Sequence, residues 1–283
     1  MKLNHFKDKE VSQYYEHVKS YLLQHEAQHN LIFGILDGLI NQPERFKHSP
    51  YLVTVEEDNR LLAVALWTPP RKLVLSRSLH PQALNIIAQD LQARQAVIPG
   101  VTGLVDEALA FAQAWQAITN QSYHQSMQLR VYQLETIQPI AKANGYFRQA
   151  TQADRKVLIE WVQAFSQEAL DEATEYDEAE QMIERYLRKG SLYLWQDQVP
   201  VATAGYGGAT PNGIRVNFVY TPPKYRRQGY ATSCVAALSQ TLLDQGLMYC
   251  FLFTDLANPT SNHIYQAIGY QPVCDMDEYS FQG

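Results

Sequence analysis

The sequence predicts a mixed α/β protein, a central mixed sheet flanked by helices and built twice in tandem. Three observations predict it. Apolar residues at helical spacing alternate with short apolar runs typical of strands. The order of these segments in the first half recurs in the second. The chain of 283 residues, with 46% apolar and 18% charged residues, 14 Gly and 13 Pro, suits two globular domains, each able to bury a core. Disordered and collagen-like chains are excluded by that composition.

In the first half, Val11, Tyr15, Val18, Tyr21 and Leu22 recur at three- and four-residue spacing, and Leu31, Ile35, Leu36 and Leu39 do so again, giving two helices. Strands are predicted over Tyr51–Glu56, Leu61–Trp67 and Lys72–Leu75, the first two joined by the turn Glu57-Asp58-Asn59-Arg60. A helix from about Pro81 to Gln95 has Pro in its first turn, where no amide donor is missed. Then come Pro99-Gly100-Val101-Thr102-Gly103, a helix over about Val105–Ile118 and a strand over Met127–Leu134.

The second half starts with a strand over Phe147–Ala150 and the helix caps Thr151 and Asp154, ahead of a helix carrying Val157, Leu158, Trp161 and Phe165. A second helix covers about Tyr176–Arg188. Strands follow over Leu192–Trp195, Val199–Tyr206 and Ile214–Tyr220, then a helix over about Gly229–Gln245 and a strand over Tyr249–Phe253. A helix over Ser261–Ile268 and closing strands near Tyr270–Cys274 and Glu278–Phe281 end the chain. The expected boundary, Ala141-Lys142-Ala143-Asn144-Gly145, divides domains 1–145 and 146–283.

Met1-Lys2-Leu3-Asn4-His5 leads into charge, and no run approaches the roughly 20 apolar residues of a membrane span, so a cytoplasmic protein without membrane contact is expected. Cys234, Cys250 and Cys274 are too few and too dispersed for a disulfide framework. Residues 1–145 carry 13 basic and 13 acidic residues, whereas 146–283 carry 10 and 16, so the net charge of -6 belongs to the second half. A nucleic-acid partner would want the opposite sign.

Within that acidic half, Lys224, Arg226 and Arg227 cluster in the run Val219 to Ala231, between an apolar strand and an amphipathic helix. Gly229 and Ala231 would let an anion approach the unpaired N–H groups of the helix start. Arg226 and Arg227 add fork-shaped donors, so the run reads as a pyrophosphate cradle. No Gly-Lys-Ser/Thr follows, which excludes a P-loop, and a single Gly excludes a dinucleotide fingerprint. Downstream, Asn258 and Asn262 stand near a helix start, Tyr265 lies one turn past Asn262, and Gly269 is placed to end the helix.

These two runs, Arg226-x-x-Gly229-x-Ala231 and Asn258, Asn262, Tyr265, Gly269-Tyr270, resemble the signature of the GNAT superfamily of acyl-coenzyme A-dependent N-acetyltransferases over about residues 146–283. The resemblance implies acetyl-coenzyme A as co-substrate, no metal, and a small-molecule or peptide primary amine as acceptor. It implies that Phe218, Val219 and Tyr220 offer main-chain groups to the pantetheine arm and the thioester carbonyl. It places Arg226, Arg227, Gln228, Gly229, Tyr230 and Ala231 at the pyrophosphate and Asn258 and Asn262 at pantetheine. Tyr265 is implied as the acid that protonates the leaving thiolate. Many members carry a Glu on the fourth strand as base; here the strand reads Arg215-Val216-Asn217-Phe218. Asp255, Asp275, Asp277 and Glu278 are the candidate substitutes. Rival readings are a non-catalytic coenzyme A sensor and an enzyme for longer acyl donors, and a homodimer is possible in either case.

Three further features bear on function. Eight acidic residues between Glu168 and Glu184 form a solvated helical face or, on a sharper reading, a rim that selects cationic amines. His25-Glu26-Ala27-Gln28-His29 matches a zinc-protease signature on an expected helix, but without the extended form, and exposed charge at a helix junction is the simpler account. In the first half, the loop equivalent to the cradle is Ser76-Arg77-Ser78-Leu79-His80-Pro81, which has no Gly and loses a donor at Pro81. That copy is expected to bind no coenzyme A and to serve packing, acceptor-site completion or dimerisation.

Overall fold

The computed structural model describes residues 1–170 and 173–282. Each half folds as strand, two helices, three strands, helix, strand, helix, strand. In the first half these are β1 (Lys2–Phe6), α1 (Val11–Leu23), α2 (Asn30–Asn41), β2 (Tyr51–Glu57), β3 (Arg60–Trp67), β4 (Leu73–Leu75), α3 (Pro81–Ala93), β5 (Gly100–Leu104), α4 (Val105–Thr119) and β6 (Ser122–Leu134). The second half repeats them as β7 (Tyr146–Gln149), α5 (Arg155–Leu170), α6 (Tyr176–Lys189), β8 (Leu192–Asp197), β9 (Val199–Ala209), β10 (Gly213–Tyr220), α7 (Tyr230–Asp244), β11 (Tyr249–Asp255), α8 (Pro259–Ile268) and β12 (Gln271–Gln282).

Local chemistry accounts for the joints. Asp58 (φ 50°) and Asn59 (φ 61°) make the tight turn between β2 and β3, residue types that tolerate the left-handed region. Thr151 and Asp154 form a reciprocal capping box ahead of α5, and Asp154 is also held by Arg148 at 2.6 and 2.7 Å. The Arg148 guanidinium and the Thr151 groups keep the Asp154 carboxyl below the usual carboxylate range, against the opposing effect of burial.

All twelve strands form one sheet in the order β1-β2-β3-β4-β5-β12-β6-β11-β10-β9-β8-β7. This order reads the same from either end once each strand is matched to its counterpart in the other half. The two halves have exchanged their last strands. The last strand of the chain, β12, lies against β5, while β6 lies against β11, and the two pair with each other antiparallel from Gln271↔Gln133 to Gln282↔Ser122. Sequence periodicity gave two closing strands; they are one strand, interrupted by register shifts at Pro272/Cys274 and Glu278/Tyr279. The polar run Ser122–Ser126 extends β6 beyond its apolar part because pairing with β12 satisfies its backbone. The edge strand β1 is likewise set by pairing, its Lys2–Phe6 aligning with Glu56–Leu52 of β2.

Helices α1, α2, α5 and α6 cover one face of the sheet and α3, α4, α7 and α8 the other, giving four apolar clusters. The strand exchange mixes their membership: Tyr279, on the last strand, packs into the cluster of α3 and α4, and Tyr132, on β6, packs into that of α7 and α8. The halves also meet through α2, which rests on β9. A Cβ on Gly34 of α2 would lie 2.9 Å from the Gly208 Cα, so no larger residue fits this approach without a shift. Just before α2, the Glu26 carboxylate accepts from the Asn212 amide N–H (2.8 Å) and Nδ2 (2.7 Å), gripping the β9–β10 turn. The segment His25–His29 is a series of turns, not the expected helix, and Glu26 is turned away to this contact.

Because Tyr279 is 7% exposed in a core built by the other half, Tyr279→Ala should cost about 3 kcal/mol in urea unfolding. Hydrogen exchange should show the lost protection in β5 and α4 of the first half, although the substitution lies near the C-terminus.

Candidate active site

Strand β10 sets the site. It pairs in parallel with β11 only over Gly213–Arg215 and Tyr249–Phe251, although both strands run on for several residues. On its other side β10 stays paired with β9, with a register shift between Asn217 and Tyr220. Inside that irregularity Phe218 has φ 45°, a left-handed conformation that a bulky residue adopts only when its surroundings impose it. Packing against α5 and α6 imposes it here: the Phe218 ring lies 5.6 Å from Phe165 and 6.1 Å from Tyr186. The strands therefore separate beyond Arg215, and Phe218–Tyr220 face the opening on the β11 side.

The opening leads to the loop Thr221–Gly229. Arg226 is extended, Arg227 takes φ 61°, and Gly229 takes φ 77° as the N-cap of α7. Alternation of this kind turns successive backbone N–H groups toward a common point. Arg227, Gln228 and Gly229 are exposed, and a Cβ on Gly229 would meet only Ala143 Cβ, at 3.7 Å. Gly229 has no side chain to cap the helix, so the first N–H groups of α7, from Tyr230 and Ala231, stay available to an anion. Tyr230 itself is anchored from behind, its hydroxyl donating to Asp197 at 2.6 Å.

Arg226 has a different task from its neighbour. Its Nε donates to the Thr221 carbonyl (2.9 Å) and its guanidinium pairs with Glu168 of α5, so it holds the loop in shape. Glu168 also accepts from the Tyr220 hydroxyl at 2.9 Å, tying the end of β10 to the same carboxylate.

On the opposite side of the opening stands α8. The Asn258 side chain caps it by accepting from Ser261 N at 3.0 Å. Asn262 Nδ2 donates to the carbonyls of Asp255 (3.1 Å) and Asn258 (2.8 Å), and its Oδ1 accepts from the Tyr132 hydroxyl (3.1 Å). Both asparagines thus fix the β11–α8 junction, and the first-half strand β6 braces it. Tyr265 is buried between the rings of Tyr132 and Tyr270, at 6.3 and 6.0 Å. Its hydroxyl has no hydrogen-bond partner among the described residues, and burial pushes its pKa up to about 12. It therefore holds its proton at neutral pH and has no acceptor for it among the described residues.

Residues 156–270 match the acetyltransferase (GNAT) family. The C-terminal half belongs to that family. No curated protein matches the chain. Solved structures match its whole length at low identity. A GNAT-family acetyltransferase from Colwellia psychrerythraea is 12% identical (TM-score 0.61, 100% of both chains). A GCN5-related N-acetyltransferase from Sphaerobacter thermophilus is 13% identical (TM-score 0.62, 99% of this chain and 95% of that one). A tandem GNAT protein from the clavulanic acid biosynthesis pathway is 12% identical (TM-score 0.60, 99% of this chain and 98% of that one). The likeness is one of fold, and it spans both halves.

The candidate bases separate by position. Asp255 beside the opening caps its own turn by accepting from Ala257 N at 2.8 Å. Asp275, Asp277 and Glu278 lie on β12, with β6 and β11 between them and the opening. Asp275 is bound by Arg130 at 2.7 and 2.9 Å and Glu278 by Lys72 at 2.6 Å, while Asp277 is buried beside the Tyr279 hydroxyl. Where a GNAT strand often carries Glu, Asn217 Oδ1 accepts from the Tyr186 hydroxyl at 2.6 Å. Three members of the acidic run pair with the protein's own cations: Glu180 and Glu184 with Arg155, and Glu168 with Arg226. Asp171 and Glu172 lie outside the described residues.

In the first half, the loop equivalent to the cradle is filled from within. The Arg77 N–H donates to His29 Nε2 (3.1 Å), the Ser78 N–H to the Glu107 carboxylate (2.9 Å), and the Gln82 N–H at the start of α3 to His80 Nδ1 (3.2 Å). His29 Nδ1 in turn donates to the Leu22 carbonyl at 2.9 Å, which fixes its tautomer and leaves neither ring nitrogen for a metal. Of the other two residues in the protease-like motif, His25 faces the Arg77 guanidinium at 3.2 Å and Glu26 is held by Asn212.

Burial lowers the His29 pKa to about 4, from an ordinary value of 6.5. A folded-state value below the unfolded one stabilises the protein above pH 6.5, and that stability is lost as the pH falls toward 4. Urea unfolding at pH 7.5 and pH 4.5 should therefore differ by a component on the order of 3 kcal/mol that His29→Gln removes. An unchanged pH profile in the variant would count against the buried neutral imidazole.

Proposed function

We propose that the protein transfers an acetyl group from acetyl-coenzyme A to a primary amine of a small molecule or peptide, with residues 146–283 as the catalytic domain. Residues 1–145 are a copy that binds no coenzyme A. One observation carries the reading: β10 and β11 part after three paired residues, and the opening runs into an exposed left-handed cradle at the N-terminus of α7. Such an opening fits an extended arm that pairs with the free edge of β10 through Phe218, Val219 and Tyr220. The cradle fits a pyrophosphate, held by N–H groups from Arg227 to Ala231 with the Arg227 guanidinium above it. Arg226, Asn258 and Asn262 act by shaping the walls.

Acetyl-coenzyme A supplies an acetyl group activated as a thioester. The amine nitrogen forms a bond to the acetyl carbon, the carbon–sulfur bond breaks, and the nitrogen loses one proton. A main-chain N–H at the β10 bulge polarises the carbonyl. Tyr265 gives its proton to the departing sulfur and regains one from solvent. With no carboxylate on β10, the amine loses its proton to water. That same absence favours a second reading, a coenzyme A-binding sensor, which would bind without turnover.

The first-half plug of His29, Glu107 and His80 supports assigning the cradle to one copy alone. Gly229→Val places a β-branched residue at φ 77°, which costs about 1–2 kcal/mol in a left-handed conformation, and its side chain enters the anion path. Calorimetric titration should show coenzyme A affinity reduced about tenfold or more, whereas an equivalent substitution at Ser78 should leave it unchanged. Tyr265→Phe should lower kcat about 100-fold and change coenzyme A affinity little, since the lost hydroxyl bonds to none of the described residues. Wild-type kcat in that variant would remove Tyr265 from the chemistry.

A further inference from the structure

The sheet face opposite α7 and α8 carries Arg215 and Asn217 of β10 side by side, beneath α2 and α6. A charged residue inside a central strand is unusual. Its surroundings are built around it. A Cβ on Gly208 would lie 2.8 Å from an Arg215 Nη, and one on Gly34 would lie 3.3 Å away, so glycines from both halves make the room the guanidinium occupies. One face of the group lies 5.5 Å from the Phe253 ring, and Nη1 donates to Asn30 Oδ1 at 3.2 Å. Asn30 is itself fully buried at the start of α2.

That is the guanidinium's one hydrogen bond among the described residues, out of five donors. No carboxylate among them pairs with it. Arg185 on α6 and Arg45 beyond α2 also make no ion pair with any described carboxylate, and Glu180 and Glu184 of α6 are bound to Arg155. Burial pulls the Arg215 pKa down to about 10 and lowers that of Arg185, with Arg45 adding to the latter effect. Arg215, Tyr186, Asn217, Gly207 and Gly208 nevertheless keep some solvent-accessible surface. Solvent therefore reaches this group of residues in part, and a largely buried, uncompensated cation there is costly unless a ligand supplies the counter-charge.

We propose that Arg215 anchors a carboxylate of the acceptor, so that the enzyme acetylates amines that also carry a carboxylate, as amino acids do. This inference rests on the acetyltransferase reading above. A planar guanidinium matches a carboxylate in a two-point contact, and Asn217, two residues along the same face, stands between that anchor and the bulge where the acetyl carbonyl would lie. The first half supplies the second wall of the anchor through Asn30 and Gly34, which gives the copy without a cradle a direct part in acceptor recognition.

The test compares each of the twenty amino acids with its decarboxylated amine and with the matching aminoalkyl phosphate, following coenzyme A release by the full-length protein with acetyl-coenzyme A. In the best pair, kcat/KM should favour the carboxylate at least tenfold. Arg215→Gln should raise KM for that amino acid at least tenfold, abolish the preference over the amine, and leave coenzyme A affinity unchanged. Arg215→Lys, which keeps the charge without the fork, should recover part of the loss. A wild-type preference for the amine or the phosphate, or a preference for the carboxylate that survives in Arg215→Gln, overturns the inference. Coenzyme A binding with no turnover of any amino acid also overturns it, and turnover of other amines then leaves the acetyltransferase reading standing. Failure to bind coenzyme A overturns both.

Discussion

The pairing of β6 with β12 is the constraint on which the rest of this molecule depends. Each half builds five strands of its own and then gives its sixth to the other, so neither sheet is complete without the full chain. Had the final strands stayed at home, two sheet edges would have faced each other as unpaired backbone, a state proteins avoid or cover. Exchange instead satisfies both edges at once and inserts Tyr279 and Tyr132 into cores made by the opposite half. The site inherits this. Tyr132 holds Asn262 and lies against Tyr265, so the position of α8 is set in part by a first-half strand.

Two copies with the same element order have diverged at one physical question, whether the N–H groups between the fourth strand and the next helix are satisfied from inside. In the second half a left-handed Arg227 and Gly229 turn these donors outward and no side chain reaches them. In the first, His29, Glu107 and His80 take three of them. A buried N–H must find a partner, so once the glycine is absent and the loop packs inward, recruiting a neutral imidazole and a carboxylate is the economical outcome. The filled loop then stiffens the contact between α1, α2 and the sheet, and α2 carries the interface with the second half.

Much of this was legible in the sequence, for identifiable reasons. Periodicity places nearly every helix and the inner strands, because buried faces write their spacing into the chain. The cradle is legible because it needs a residue type, glycine, at a helix start. Strand β1 and the outer part of β6 were not legible, since their pairing is backbone chemistry and their side chains are polar or mixed. The exchange of β6 and β12 leaves no local mark at all. His25–His29, expected on a helix, forms turns instead, because its two histidines face Arg77 and Glu26 reaches Asn212, contacts that exist only in the fold. Arg215 had a signal, a cation between apolar residues of a strand, but its meaning depends on Gly34 and Asn30, which are close only in the fold.

Charge shows most plainly how position overrides composition. The second half holds the whole net charge of -6, and that sum alone would favour a cationic ligand. The fold redistributes it. Glu168, Glu180 and Glu184 are committed to Arg226 and Arg155 at the rim, where exposed pairs contribute little energy but cancel one another's field. On the floor between α2 and α6, Arg215 is left with one neutral partner, and the lower dielectric there lets its charge act over several ångströms. An acidic domain can therefore present a basic interior, because the field a ligand meets is set by the charges without local partners and not by the total.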